Sequence, residues 1–454
     1  MSDTQSRLPL ALIALATSLA LIVFTQPLTT LAVMTADLSL TPGQQAWVMS
    51  GMPLGAASGL LTAGAFGDTL GRRRTFVAGL WITAVASIVA ALAWSGPMLI
   101  VMRIVQGIGS AGIMASGLGL VGQIYRGEAQ ARAAAVWAAA LGSGVALGPI
   151  MASLLLPVGG WPAMHWLIAG LSAALALGSA RLPESPHTGE RVDLRGAALL
   201  TVGMACVMAA LIEVRVGGAV LVAGLVLVGV LCLGAFLMWE RRVRNPILRI
   251  DLFRAPAFSG ATLAAFASGA GVLALMSMVP IVLEHGMGVS PFHAALILLA
   301  WSGVTIFSAL GARFLPAALT ARQRVILAIL GCALGQGLML MAVTGAGWAV
   351  VLPGLFVAGV SNGILNASLG HEAVRTVPED RAAMGSAMNN TARYLGSALG
   401  IALISVLIAG RDGAAFFASW HDAVLVSTGL SLLGVAVMTG VAARHRIAAV
   451  LHRS

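Results

Sequence analysis

Few side chains in this 454-residue sequence can do chemistry, and those that can are set among long apolar runs. Gly64, Gly67, Asp68 and Gly71 lead into Arg72, Arg73 and Arg74, an acid and three cations around a tight turn between two apolar segments. Asp68 near a helix end can pair with an arginine and hold a gate; the same residues also fit a plain basic turn. Further along, Arg103 and Gln106 are spaced to share one helix face. A charge at the centre of a bilayer costs about 2.5–3.5 kcal/mol on the insertion scale. Arg103 therefore either acts as a fixed cation, lowering a neighbouring carboxylate's pKa or attracting an anion, or snorkels to the outer interface. Arg393 lies deeper, in Asn389-Asn390-Thr391-Ala392-Arg393-Tyr394, where a cavity or an interhelical bond must receive it. Asn362 and Asn366 share a face at i, i+4, and buried amides in lipid must find partners. They either cross-link helices or bind a substrate, and with Gln26 and Arg393 they are the candidate lining of a substrate cavity.

Other reactive types are scarce. Asp37, Glu213, Glu284 and Asp422 fall near outer helix ends, and His371-Glu372 at an inner one, all positions where solvation is the default. His165 reads as a satisfied core histidine or, less simply, a proton relay. Trp47 and Met52 are candidates for the cavity wall. Cys206, Cys232 and Cys332 have no His or Cys at ligand spacing, so neither a disulfide framework nor a metal site is indicated. The chain has no lysine, which excludes the phosphate-binding lysine of a P-loop and with it ATP-driven transport by this chain alone. No cluster of His, Asp and Glu inside the apolar segments supports an enzyme, and no cofactor is expected.

Composition states what positions these residues. With 59% hydrophobic residues, 9% charged and a mean hydropathy of +0.96, the chain is far from the roughly 25% charge of soluble domains. The net charge of +10 suggests arginines holding loops on one side of a membrane rather than a nucleic-acid partner. Apolar runs long enough for about 30 Å of hydrocarbon predict helices at 8–34, 46–66, 76–94, 98–121, 133–156, 162–180, 196–213, 216–238, 257–283, 291–312, 325–343, 347–369, 383–409 and 422–441. The expected fold is all-α and integral to the membrane, with 14 transmembrane helices.

The arginines test that count independently. With both termini inside, 22 of the 26 basic residues fall on cytoplasmic segments, Arg215 and Arg411 fall outside, and Arg103 and Arg393 fall within spans. The first apolar run is too long for a signal peptide and lacks a clear cleavage site, so it is taken as helix 1. A multi-pass protein of the cell membrane is expected, in a bacterial inner membrane.

Two cytoplasmic helix starts resemble one another. Glu128-Ala-Gln-Ala-Arg132 precedes a small-residue helix ending at Gly148, and Pro378-Glu-Asp-Arg381 precedes one carrying Gly396 and Gly400. They suggest two six-helix bundles related by a parallel repeat, at 1–180 and 257–441. A central segment, 181–256, carries an inserted helix pair, and 442–454 forms a cytoplasmic tail. Many of the 55 glycines recur at i, i+4, as in Gly51, Gly55 and Gly59, a stripe that serves static packing or sliding between helices.

The Gly64–Arg74 loop resembles the signature between helices 2 and 3 of the major facilitator superfamily. Arg103-Ile-Val-Gln106-Gly107-Ile-Gly109 resembles that family's helix-4 motif, and Gly144-Val-Ala-Leu-Gly148-Pro149 its helix-5 antiporter motif. With 14 spans the whole chain is similar to the drug/proton antiporter branch. That resemblance implies a cytoplasmic gate at Gly64, Asp68, Gly71, Arg72 and Arg73. It also implies proton coupling at Arg103, Gln106 and Gly107, and a flexible packing face at Gly144, Gly148 and Pro149. The sequence departs from the family at Thr69, where an arginine is usual, and at Ala152-Ser153, where glycines close the motif. It departs again at Phe24–Leu28, where helix 1 usually carries an aspartate. The expected function is proton-driven export of small amphipathic compounds by alternating access. The partners are substrate, protons and lipid, with no nucleic acid and a monomeric state. The rival is an importer or uniporter of a small polar nutrient. Two arginines and almost no midplane acid point to neutral or anionic substrates.

Overall fold

A computed structural model describes residues 7–185, 192–214, 218–243, 246–248, 250–316, 318–375, 382–408 and 410–451. The segment Pro378–Arg381 and Arg191, Arg215, Arg244, Arg249 and Arg453 lie outside the described residues.

The described chain is helical, in the order α1 (Arg7–Thr25), α2 (Leu31–Leu38), α3 (Pro42–Leu70), α4 (Arg72–Ala91), α5 (Gly96–Ile124), α6 (Gly127–Ser179), α7 (Leu194–Glu213) and α8 (Ala219–Glu240). It continues through α9 (Pro256–Ser268), α10 (Ala274–Ile281), α11 (Pro291–Gly311), α12 (Ala321–Leu338), α13 (Leu352–Arg375), α14 (Ala382–Ile408) and α15 (Gly413–Leu451). Among the described residues, twelve helical segments are long and apolar enough to cross a membrane. One of these is α6, whose 53 residues would reach about 80 Å at 1.5 Å each, far beyond one bilayer. Its helical geometry fails at Gly159 and Gly160, the latter at φ 65°, between Pro157 and Pro162. The 29-residue α3 is long enough to cross but less apolar, and it is packed among other helices.

The first apolar run is not one straight helix. Pro27 has no N–H for the carbonyl of Val23, and the chain passes through a 3-10 turn at Gln26–Thr29 before α2 resumes. Between α9 and α10 the helix widens into a π-turn at Gly269–Leu273.

Glycines set which helices touch most closely. A Cβ on Gly55 would fall on the carbonyl of Ile104, and one on Gly107 on the carbonyl of Met52, so α3 and α5 approach backbone to backbone. Gly144 and Gly148 bring α6 against Ser18 and Thr25 of α1, while Gly396 and Gly400 bring α14 against Phe266 and Ala270. Gly359 and Gly363 bring α13 against α11. Contacts between the first six-helix stretch and the later helices are carried chiefly by α3 on α14 and by α6 on α11.

Gly64 of the loop motif is different, because a Cβ there would meet nothing within 4 Å. Gly55→Leu is therefore expected to abolish the folded peak of the detergent-purified protein or to lower its melting temperature by many degrees. Gly64→Ala should melt as the wild type does, when both are followed by tryptophan fluorescence.

Candidate functional site: a buried arginine network and a cavity at the arginine-rich end

Arg103 is fully buried in α5 and does not snorkel. Its Nη1 donates to Val23 O at 2.6 Å and Nη2 to Phe24 O at 3.4 Å, so the carbonyl that Pro27 strips of its helical donor is met by a guanidinium. Nε donates to Val48 O of α3 at 3.3 Å, and Nη1 also reaches Gln106 Oε1 at 3.0 Å. These acceptors are all neutral. Arg103 joins α1, α3 and α5 at a kink and holds no carboxylate among the described residues.

Gln106, fixed at its oxygen by Arg103, donates Nε2 to Ser87 Oγ at 2.9 Å and faces His165 Nδ1 at 3.3 Å. His165 is fully buried, with Gln26 at 3.3 Å from its Nε2 and Trp161 packed edge-on at 5.7 Å. A neutral imidazole offers one acceptor and one donor. Gln106 presents its amide N–H to Nδ1, so Nε2 carries the proton and requires an acceptor. Gln26 Oε1, buried and otherwise unpartnered, supplies that acceptor when the amide turns its oxygen to the ring. Gln26 thus belongs to this network, and it lies away from the cavity described below.

The Gly144–Pro149 stretch packs α6 on the same kink. Thr25 Oγ1 donates to Gly144 O at 3.3 Å, and Thr29 Oγ1 to Pro149 O at 3.1 Å. The reason for glycine at 144 and 148 is closeness to α1, whose Ser18 carbonyl and Thr25 hydroxyl occupy the space of any Cβ.

At the arginine-rich end, Gly71 takes φ 108° and starts α4. The first N–H groups of α4 are capped from the segment after α6: Arg72 N donates to Ser185 Oγ at 2.8 Å and Arg73 N to Glu184 Oε1 at 2.9 Å. Glu184 Oε2 also lies 3.3 Å from Arg73 Nε and 3.7 Å from Arg74 Nε. Asp68 pairs with Arg72 at 3.4 Å, and its side chain is 59% exposed. The principal acid of this loop is therefore Glu184, which the sequence analysis missed. It stands 111 residues from Arg73, and only its place in Arg181-Leu-Pro-Glu184 beside a helix end hinted at it.

A cavity of about 350 Å³ opens beside Asp68 and Arg72. Leu60, Leu61, Met114, Leu118, Trp137 and Leu141 wall it on one side, Ala387 and Asn390 of α14 on the other, and Pro246 and Ile247 at a corner. Met52 is fully buried and neither it nor Trp47 borders this cavity. Arg393 lies one turn beyond Asn390, donating to its Oδ1 at 3.2 Å and to Asn366 Oδ1 at 2.9 Å. Asn366 thus cross-links α13 to α14, and Asn362 is buried with an unpartnered Oδ1. Tyr394 reaches the first half, with its hydroxyl 3.7 Å from Met114 Sδ and its ring edge-on to Phe24 at 6.3 Å. Glu372 is buried rather than solvated, so the expected exposed helix cap is not what forms there.

A bundle of membrane-crossing helices with a cavity where two groups of helices meet defines a multi-pass membrane transporter. Residues 11–401 match the Major Facilitator Superfamily, and the chain belongs to that family. It is 29% identical over 442 residues to the multidrug efflux pump LfrA of Mycolicibacterium smegmatis, covering 95% of this chain and 84% of that protein. It is 30% identical over 382 residues to the methylenomycin A resistance protein of Streptomyces coelicolor, covering 82% and 79%. Over 96% of the chain and 97% of the other, its fold is similar to that of a D-xylose-proton symporter, with a TM-score of 0.70 at 14% identity.

Arg103→Met leaves the Val23 carbonyl buried without a donor, at about 1–3 kcal/mol, and a compact lysine ammonium cannot span α1 and α3 as a guanidinium fork does. Both variants are expected to melt well below the wild type in detergent. Glu184→Ala should lower the melting temperature more than Asp68→Ala, because Asp68 is itself exposed and makes one i, i+4 pair. Equal losses would contradict the assignment of Glu184 as the cap of α4.

Proposed function

We propose that this chain is a proton-coupled exporter of small amphipathic compounds, working by alternating access in a bacterial inner membrane with both termini cytoplasmic. The observation that carries this reading is the cavity between α3, α5 and α6 of one half and α14 of the other, at the end bearing most of the arginines. By the positive-inside rule that end is cytoplasmic, where an exporter loads. Relatives described as resistance proteins and efflux pumps support the direction of transport.

Counting α6 as two spans at Gly159–Gly160 and adding α3 to the apolar segments brings the chain to fourteen spans. Halves at 1–180 and 257–441, with α7 and α8 inserted between and a tail at 442–454, fit the contacts. A repeat that maps the first six spans onto the last six exchanges the pair α3–α14 with the pair α6–α11. It also maps the glycine contact of α5 on α3 onto that of α13 on α11, and that of α6 on α1 onto that of α14 on α9. Such an exchange is what a pseudo-two-fold axis produces, and rocking about it gives alternating access. Asp68, Arg72 and Arg73 with Gly64 and Gly71 form the cytoplasmic gate in this scheme. Arg103, Gln106 and Gly107 form the coupling region, and Gly144, Gly148 and Pro149 the packing face. The chain acts as a monomer.

Everted vesicles energised to an acid interior test the function. Addition of a transported compound is expected to release protons, read by a pH-sensitive dye, and Trp137→Ala in the cavity wall should reduce the response several-fold. Absence of release across cationic, neutral and acidic compounds, with accumulation in intact cells instead, would establish the importer or uniporter.

A further inference from the structure

The two arginines inside the bundle are balanced differently. Arg103 is saturated by four neutral acceptors at 2.6–3.4 Å, tied into one kink. Arg393 reaches two amide oxygens, those of Asn366 and Asn390, while its Nε is buried without a partner. The Tyr394 ring lies 5.5 Å from its Cζ. Among the described residues no carboxylate forms an ion pair with it. A part-buried guanidinium held by two amide oxygens has no counter-charge among the described residues, and its planar fork suits a carboxylate or phenolate.

The cavity leads to this group. Asn390, the acceptor for Arg393 Nη2, is part of the wall, and Leu60, Leu61, Met114 and Trp137 face it as an apolar surface. The charged residues of the wall are Asp68 and Arg72, which already pair with each other. Arg393 stands behind Asn390 rather than in the wall, so a ligand on this apolar bed reaches the cation by displacing the Asn390 amide.

We infer that the compounds this chain takes are organic acids with an apolar ring body, the ionised group bonding to Arg393 in place of Asn390. Exchange of the amide for a carboxylate or phenolate leaves every donor of Arg393 at least as well satisfied. A quaternary amine in the same cavity would meet Arg393 as a like charge. The inference deepens the exporter reading by naming its substrate class, and its binding step is measurable without transport.

The full chain in phosphatidylcholine nanodiscs, free of anionic lipid, is titrated with anthracene-9-carboxylate and with its methyl ester, following quenching of tryptophan fluorescence. Trp137→Phe identifies the part of the signal that comes from the cavity. The acid is expected to bind at least tenfold more tightly than the ester. Arg393→Gln should abolish the difference and Arg393→Lys should retain most of it. Asn390→Asp, which supplies an internal counter-charge at nearly constant volume, should also abolish it, and serves if Arg393→Gln fails to fold. Equal binding of acid and ester by the wild type, or an acid preference that survives both neutralising changes, would overturn the inference. Acid-selective binding without proton release in vesicles would overturn the exporter reading and leave the site standing. Proton release without acid selectivity would do the reverse.

Discussion

A carbonyl freed by a proline inside a membrane helix has no water to turn to, and in this chain the carbonyl of Val23 is met by Arg103. Much of the first half is arranged around that bond. It fixes the bend of the first span, ties that span to α3 through Val48, and orients Gln106 toward Ser87 and His165. The bend in turn places Thr25 and Thr29 where α6 can accept from them at Gly144 and Pro149. A buried charge that would be expensive alone is made tolerable by dividing it among neutral oxygens, one of them the Val23 carbonyl that Pro27 leaves without a helical donor.

The same kink reaches the other half. Phe24, whose carbonyl accepts from Arg103, sets its ring against Tyr394, the neighbour of Arg393. Tyr394 closes the contact on Met114, which also lines the cavity. A shift of the first span is therefore felt within two residues of the polar edge of the cavity. Backbone-to-backbone approach at the glycines packs α5 on α3, α6 on α1, α13 on α11 and α14 on α9. The Glu184 cap lies wholly within the first group of helices, binding the start of α4 to the end of α6. It stiffens that group and leaves Asp68 exposed at the cavity mouth.

Membrane class, helical fold, superfamily and basic loops were legible from composition, arginine placement and the Gly64–Arg74 motif, because hydrocarbon admits few spanning structures and positive charge stays on one side. The importance of Arg103 and Arg393 was legible too, since a charge within an apolar run must be held by something. The carbonyls that hold Arg103 could not be read from spacing. A carbonyl as the partner of Arg103 depends on a backbone break 76 positions away at Pro27, and carbonyls carry no residue-type signal. Glu184 as the acid of the loop depends on the return of α6 past its own kink at Gly159–Gly160 to the level of α4. That His165 joins Gln26 to Gln106, rather than Gln26 lining the cavity, depends on helices far apart in the chain.

By itself, then, the sequence determined that this is a multi-pass helical membrane protein, where its basic loops lie, and that two arginines are held inside it. Each follows from the cost of moving a residue type or a peptide group into hydrocarbon, which is paid locally. Tertiary structure alone decided which groups meet those arginines and which residues wall the cavity. Those depend on helix kinks and on glycine contacts between segments far apart in the chain, and around Arg103 the deciding atoms are chiefly backbone oxygens common to every residue.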